Sequence, residues 1–499
     1  MNSNAWVPLL VVISSLLPGL IIFSLPEDKV RLRITLNLFG ALVKFLLVGL
    51  MLWGVYNGYH YEIRLPLLPN LELVLRAGPL ALLFVTLSSI LWLVTTVYAI
   101  GYLENSPHRS RFFGFFSLCV TATTGVALAG NLITFLLFYE LLTLATYPLI
   151  VHRGTEEARQ AGKTYLRYTI SGGALLLIGT VWLYSLTGNL EFTPKGFLTN
   201  MGEQHYPALI TIFILLIAGL GVKAALFPLH GWLPQAMIAP APVSALLHAV
   251  AVVKAGAFGI IRVVYEVFGV EFSAALGVLT PLAWLAAFTI IYGSLRALYQ
   301  DDLKRRLAYS TVSQVSYITL GVAIAGPIAA IGGVVHLVHQ GVMKITLFFC
   351  AGNLAETLGI HKISEMNGVG RRMPWTMAAF TIGAFGMIGA PPIAGFISKW
   401  YLGLGALNTG QSWVIFILAG SSLLNAVYFL PILHRAWFMP LPESWPEDHN
   451  FGNKETAWTL LLPPLITAVF ALAVGLLVTL PFSPLEWAKL IAAREFYQP

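Results

Sequence analysis

Lys223-Ala-Ala-Leu-Phe-Pro228-Leu-His230-Gly231-Trp-Leu-Pro234 closes an apolar run that begins near residue 207. Proline removes a backbone donor and clashes with the preceding turn, so Pro228 and Pro234 interrupt any helix that reaches them. The flanks are nonetheless apolar, and a lysine and a histidine bracket Pro228. In a bilayer such a break survives only where protein or water satisfies the freed backbone groups. The stretch therefore predicts an interrupted membrane helix beside a polar interior. A second interruption, Gly389-Ala390-Pro391-Pro392-Ile-Ala-Gly395-Phe-Ile-Ser-Lys399, has the same make-up. Either break alone reads as an ordinary proline kink. Two of them, each near a lysine and five spans apart, point to an inverted repeat with an ion site near the midplane.

Outward from these breaks, apolar runs fall at about 5–24, 34–57, 79–101, 111–129, 131–151, 163–187, 207–228, 241–267, 272–296, 307–325, 328–352, 374–401, 411–437 and 456–480. The expected fold is an all-α integral membrane protein of about 14 transmembrane helices, with helices 7 and 12 broken. It forms one polytopic domain over 1–499, since the longest connections, 187–207, 352–374 and 437–456, are too short for an inserted soluble domain. Composition agrees: 57% of residues are hydrophobic and 10% charged, against about a quarter charged in soluble domains. Mean hydropathy is +0.79. The first run has no basic stretch before it and no small-residue cleavage site after it, so it reads as a retained helix.

The net charge of +7 reads as membrane topology, with no nucleic-acid partner expected. Odd-numbered loops hold eighteen basic residues, from Lys29, Arg31 and Arg33 through Lys304, Arg305 and Arg306 to Arg435 and Lys454. Even-numbered loops and tails hold five: Arg64, Arg76, Lys195, Lys489 and Arg494. The positive-inside rule then places the odd loops in the cytoplasm and both termini on the non-cytoplasmic side of a cell (inner) membrane. Cys119 and Cys350 lie in apolar runs without metal spacing or a CxxC, so neither a metal site nor a cofactor is expected.

The remaining basic residues, Lys44, Lys223, Lys254, Arg262, Lys344 and Lys399, fall inside apolar runs, and Glu140 reads as the one acid within a run. Each charge at a helix centre costs about 2.5–3.5 kcal/mol on insertion scales, so several together mark a hydrated interior. Glu140 is the expected partner of a deep lysine, the alternative being a helix-packing hydrogen bond. Lys223 precedes the Pro228 break, Lys254 lies deep in the next helix, and Lys399 follows Pro391 and Pro392. Lys344 shares a helix face with His336, eight residues away. Lys44 and Arg262 read as side chains that snorkel to an interface. Burial disfavours an ammonium and a nearby carboxylate favours it, so a row of lysines can pass protons under the control of neighbouring charges. His230, His248, His336 and His339 titrate near neutrality in their free form and suit a relay.

These stretches resemble the antiporter-like membrane subunits of respiratory complex I, membrane-bound hydrogenases and Mrp-type cation/proton antiporters. The matching motifs, in order, are Phe138-Tyr-Glu140, Gly221-Val-Lys223 through Pro234, Ala241-Pro-Val-Ser244-Ala-Leu-Leu-His248, Val253-Lys254-Ala-Gly, Asp301-Asp-Leu-Lys304-Arg-Arg-Leu-Ala-Tyr-Ser310, and Pro391-Pro392 to Lys399. The resemblance implies two inverted five-helix repeats, helices 4–8 over 111–267 and helices 9–13 over 272–437. It also implies a Glu140–Lys223 pair and a path through Lys254 to Lys399. Lys399 stands where one complex I subunit has glutamate, and Gln340 stands where the family often has histidine; the D-type Mrp subunit is the best match. The implied function is proton translocation within a hetero-oligomeric Mrp-type Na+/H+ antiporter, the chain being a transporter subunit with no catalysis of its own. The alternative is a proton-pumping subunit of a complex I-like or hydrogenase-type redox complex. A carrier of organic anions is the third reading, disfavoured because the lysines are spread over several helices.

Overall fold

The computed structural model describes residues 3–69, 71–103, 106–199, 201–449, 451 and 455–497; Lys454 of the charge pattern lies outside them. The long helices in chain order are α1 (Val7–Phe23), α2 (Val30–Tyr56), α3 (Pro79–Tyr102), α4 (Arg109–Leu128), α5 (Leu132–Ile150), α6 (Glu156–Thr187) and α7 (Tyr206–Lys223). They continue as α8 (Ala241–Phe268), α9 (Leu279–Leu298), α10 (Leu303–Ala323), α11 (Pro327–Leu358), α12 (Pro374–Ile388), α13 (Ala394–Asn408), α14 (Trp413–Phe438), α15 (Trp458–Leu476) and α16 (Pro484–Phe496). Among the described residues, 11 helices are long and apolar enough to cross a membrane, while α1 and α12 are shorter apolar helices.

Local signals start and stop these helices. The Asn131 side chain accepts from Thr134 N at 2.8 Å to start α5, and Asp302 accepts from Arg305 N at 2.8 Å to start α10. Thr155 caps α6, whose first turn carries Glu156 and Glu157 where the helix dipole favours acids, and Gly188 ends it at φ 64°. α7 stops at Lys223, five residues before the expected end, because Ala225 takes φ 57° ahead of Pro228. The expected ninth span begins late, at Leu279, since Gly277 (φ 71°) separates it from the short helix Val270–Ala275. α11 overruns its expected end and reaches Leu358.

α8 and α11 form the centre: the apolar windows of both are completely buried. α8 holds two π-helical turns, Leu246–Val250 and Val263–Phe268. Small residues let helices approach closely around this core. A Cβ on Gly219 of α7 would lie 2.6 Å from the Gly172 carbonyl of α6, and one on Gly405 of α13 would lie 2.3 Å from Ala329 N of α11. α2 and α14 sit outside, exposing Phe39, Leu46, Phe416 and Leu423; such apolar surface suits lipid.

Two elements escaped the reading by apolar runs. An antiparallel hairpin pairs Glu62–Leu68 with Leu71–Arg76. Glu191, from the α6–α7 connection, clamps it through Arg64 Nη1 at 2.6 Å and Arg76 Nη2 at 2.9 Å. α16 is a short helix after the last apolar run, packed against α3 and α11.

Candidate functional site: a buried line of lysines

The site is built where α8 and α11 meet α5, α7, α10, α13 and α14. Glu140 projects from α5 toward α6, its Oε1 buried without a hydrogen-bond partner among the described residues. Gly173 of α6 leaves the space it occupies: a Cβ there would lie 2.3 Å from that oxygen. Lys223 is the fully buried last residue of α7. It feels the Glu140 charge, but no ion pair within 4.0 Å joins them. Its ammonium instead donates to the Tyr139 carbonyl and lies 3.4 Å from the Tyr139 ring centroid. Glu140 and Lys223 thus face each other through space, because the tyrosine next to Glu140 offers the ammonium both a carbonyl and a ring face.

Lys254 of α8 crosses to α11, where its Nζ donates to the Leu337 carbonyl at 2.8 Å. It is in electrostatic reach of His336, His339 and Lys344. His336 Nδ1 meets Ser398 Oγ of α13 at 2.7 Å. Both ring nitrogens of His248 and of His339 have no partner among the described residues, and His248 stacks on Phe348 at 4.5 Å. His230 lies apart from this line, in the first break, against Phe227 and Tyr292. Gln314 and Gln340 also bury amides without described partners. Burying polar groups unpaired costs free energy, and clusters of them are where ordered water belongs.

From Lys344 onward the contacts are continuous. Lys344 Nζ donates to Ser310 Oγ at 2.8 Å, and the Ser310 and Tyr428 hydroxyls are hydrogen-bonded at 3.0 Å. Tyr428 is also bonded to Asn425 Oδ1. Asn425 Nδ2 donates to the Met387 carbonyl at 3.1 Å, and Lys399 Nζ donates to that carbonyl at 3.0 Å. Lys399 further donates to the Ile388 carbonyl at 2.8 Å and Ser422 Oγ at 2.9 Å. The sequence reading missed Tyr139, Gly173, Ser310, Tyr428, Asn425 and Ser422. Ser310 stood inside a quoted motif, while Asn425 and Tyr428, three residues apart on one helix face, were the available signal in α14.

The proline breaks are completed by side chains. Trp232 Nε1 donates to the Val222 carbonyl at 2.8 Å near Pro228, and Lys399 and Asn425 take the carbonyls freed before Pro391 and Pro392.

Three sequence expectations are corrected. Lys44 does not snorkel: it is fully buried and donates to Ser15 Oγ at 2.8 Å and Thr124 Oγ1 at 2.6 Å, hydroxyls of α1 and α4 that replace water. Arg262 is also buried, bonded to Glu266 one turn later in α8. Glu140 is therefore not the one acid within a run, since Glu266 lies inside α8. No group of three or more His, Cys, Asp or Glu suited to a metal occurs among the described residues.

Residues 129–425 match the family described as NADH:quinone oxidoreductase/Mrp antiporter, TM. Over 424 residues the chain is 37% identical to the N subunit of the NADH-quinone oxidoreductase of Desulforudis audaxviator, covering 82% of each chain. It is 30% identical over 410 residues to the D-type subunit of the Na(+)/H(+) antiporter of Bacillus subtilis, covering 81% of this chain and 80% of that one. Its fold matches a chain in the structure of the Mrp complex from Dietzia sp., with a TM-score of 0.87 over 100% of this chain and 98% of that one, at 23% identity.

Proposed function

Since the chain belongs to the NADH:quinone oxidoreductase/Mrp antiporter family of membrane proteins, we propose that it is the proton-translocating subunit of a hetero-oligomeric, Mrp-type Na+/H+ antiporter in the cell membrane. The helices are read as fourteen crossings, with inverted repeats over 111–267 and 272–437 and both termini on the non-cytoplasmic side. Protons enter at Glu140 and Lys223, pass Lys254 and the histidines of α11, and reach Lys399 through Lys344. His248 serves the first half of this route, and His230, set apart at the first break, is read as a side relay to it.

The observation that carries the reading is the run of hydrogen bonds from Lys344 through Ser310 and Tyr428 to Asn425, which meets Lys399 at the Met387 carbonyl that both donate to. Buried ammonium groups are costly in a membrane and mark ion or proton routes. On this reading they are successive stations for the proton, with the hydroxyls and imidazoles described above between them. A proton arriving at one lysine repels the charge on the next, so transfer proceeds stepwise as each neighbour is emptied. Glu140 offsets the charge on Lys223 through space and sets when that lysine is loaded.

A second reading has one observation in its favour, the 37% identity to a NADH-quinone oxidoreductase subunit. In it the same line is driven by a redox partner complex. The test is Na+-induced alkalinisation of acid-loaded everted vesicles from cells lacking their own antiporters and expressing the whole gene cluster. Glu140→Gln is expected to abolish the response while the complex still assembles. Normal transport in the assembled variant would remove Glu140 from the route. No Na+ response from an assembled wild-type complex would favour the redox-driven reading.

A further inference from the structure

The buried charges at the end of α8 take no part in the lysine line. Arg262 is bonded to Glu266 one turn on, and its Nη2 donates to the Ala127 carbonyl of α4 at 3.0 Å. The guanidinium lies between the Phe192 and Phe258 rings, 4.9 and 5.0 Å from their centroids. A second carboxylate arrives from 229 residues away: Glu495 of α16, only 4% exposed. Its Oε2 accepts from Lys195 N at 2.9 Å, and the connection that brings Lys195 is itself tied to α8, Thr193 N donating to the Glu266 carbonyl at 3.1 Å. Burial first, then the Glu266 charge, hold the Glu495 carboxyl above the ordinary range.

We propose that Arg262, Glu266 and Glu495 form a proton-holding group, in which the buried Glu495 carboxyl keeps a proton beside the Arg262–Glu266 ion pair on the face that carries the hairpin and α16. Two carboxylates at one buried site do not both ionise readily. The groups facing them are few. α8 supplies Arg262, Glu266 and the Tyr265 hydroxyl, and the Lys195 segment supplies its backbone N–H. α16 supplies Arg494, whose Nε stays 3.9 Å from Glu495 while its side chain is 24% exposed; the long separation and the solvent around the guanidinium weaken the contact. A metal cation is disfavoured by the guanidinium already seated there.

Eight residues separate Lys254 from Arg262, about 12 Å along one helix. On the transport reading above, on which only this role rests, the group is a discharge point for protons leaving the α8 end of the line, separate from the exit at Lys399.

The test is infrared pH-difference spectroscopy of the purified, assembled complex, with Glu495→Gln and Glu266→Gln. Wild type is expected to show a carboxylic-acid carbonyl band, shifted in D2O, that fades with a midpoint of about 7, well above the free glutamate value of about 4.3. Glu495→Gln removes that band, and Glu266→Gln lowers its midpoint. An unchanged band in Glu495→Gln overturns the proposal, as does a wild-type spectrum with no acid titrating above the ordinary range. If Glu495→Gln fails to assemble, an unchanged midpoint in Glu266→Gln is the refuting result. The band does not depend on transport: it persists in Glu140→Gln, so failure of the transport reading is seen separately.

Discussion

Gly173 of α6 is the surface on which Glu140 rests, and Gly173→Ala tests whether the position of that carboxylate governs transport. A Cβ at residue 173 would lie 2.3 Å from Glu140 Oε1, 2.7 Å from Cδ and 2.9 Å from Oε2. Ordinary contact begins near 3.4 Å, so the carboxylate must move by about 1 Å. The far end of a flexible side chain yields cheaply, and alanine is favoured over glycine inside a helix by up to about 1 kcal/mol. The variant therefore assembles, and what changes is the field at Lys223. With an effective dielectric constant of about 20, opposite unit charges attract by about 3.3 kcal/mol at about 5 Å and about 2.8 kcal/mol at about 6 Å. That difference of about 0.5 kcal/mol alters the transport rate about two- to threefold, where Glu140→Gln abolishes it. The assay is the initial rate of vesicle alkalinisation at matched amounts of complex. Gly420→Ala serves as the control, because its Cβ would meet only Ile291 at 3.8 Å. A wild-type rate in Gly173→Ala would refute the reasoning, and complete loss of transport in an assembled complex would refute its magnitude.

Tyr428→Phe removes the hydroxyl shared by Ser310 and Asn425 but keeps the ring against Phe429. Each neutral hydrogen bond is worth about 0.5–1.5 kcal/mol, so transport falls about three- to tenfold with assembly intact; an unchanged vesicle rate would take Tyr428 out of the route. Lys44→Met leaves the Thr124 hydroxyl on the Val120 carbonyl and Ser15 on Thr121, and Lys44 lies among α1, α2 and α4, off the lysine line. Transport and assembly are therefore unchanged, and a loss of rate would extend the route to these helices. The Arg64 guanidinium holds the Glu191 carboxyl below the usual range. A lowered carboxyl stabilises the folded hairpin above its unfolded value of about 4.3 and loses that contribution as pH falls through its folded value. Protection of the hairpin amides from hydrogen exchange, corrected for the intrinsic rate, should fall below about pH 4, and Glu191→Gln should flatten that response; the pairs are about a third exposed, so the effect stays below about 1 kcal/mol.

The parts legible in the sequence were those written in short-range chemistry. Pro228 and Pro391 announced the interruptions because a missing N–H acts on its own turn. Lys223, Lys254, Lys344 and Lys399 announced a polar interior because a charge in an apolar run has no cheap placement. What stayed hidden depends on partners distant in the chain. Lys44 looked like an interfacial lysine until Ser15 and Thr124, 29 and 80 residues away, proved to receive it. Ser310 and Tyr428, 118 residues apart, meet only through the packing of α10 and α14. The hairpin carried a period-two pattern too short for a search tuned to membrane spans. Arg262 and Glu266 showed the four-residue spacing of a helical ion pair, but at the end of a run, where solvent seemed the simpler partner.

Lys399 is bonded to the last carbonyls of α12, so its charge and the integrity of that turn are one variable. A cation at a partly buried helix terminus stabilises it by up to about 2 kcal/mol. When the proton departs, the electrostatic part of that grip goes with it and the last turn of α12 is freer to unwind. By reciprocity, whatever straightens or compresses that turn changes how firmly the proton is held. On the proposed transport reading, the interruption at Pro391 acts as a transducer, converting electrical charge into mechanical shape and back.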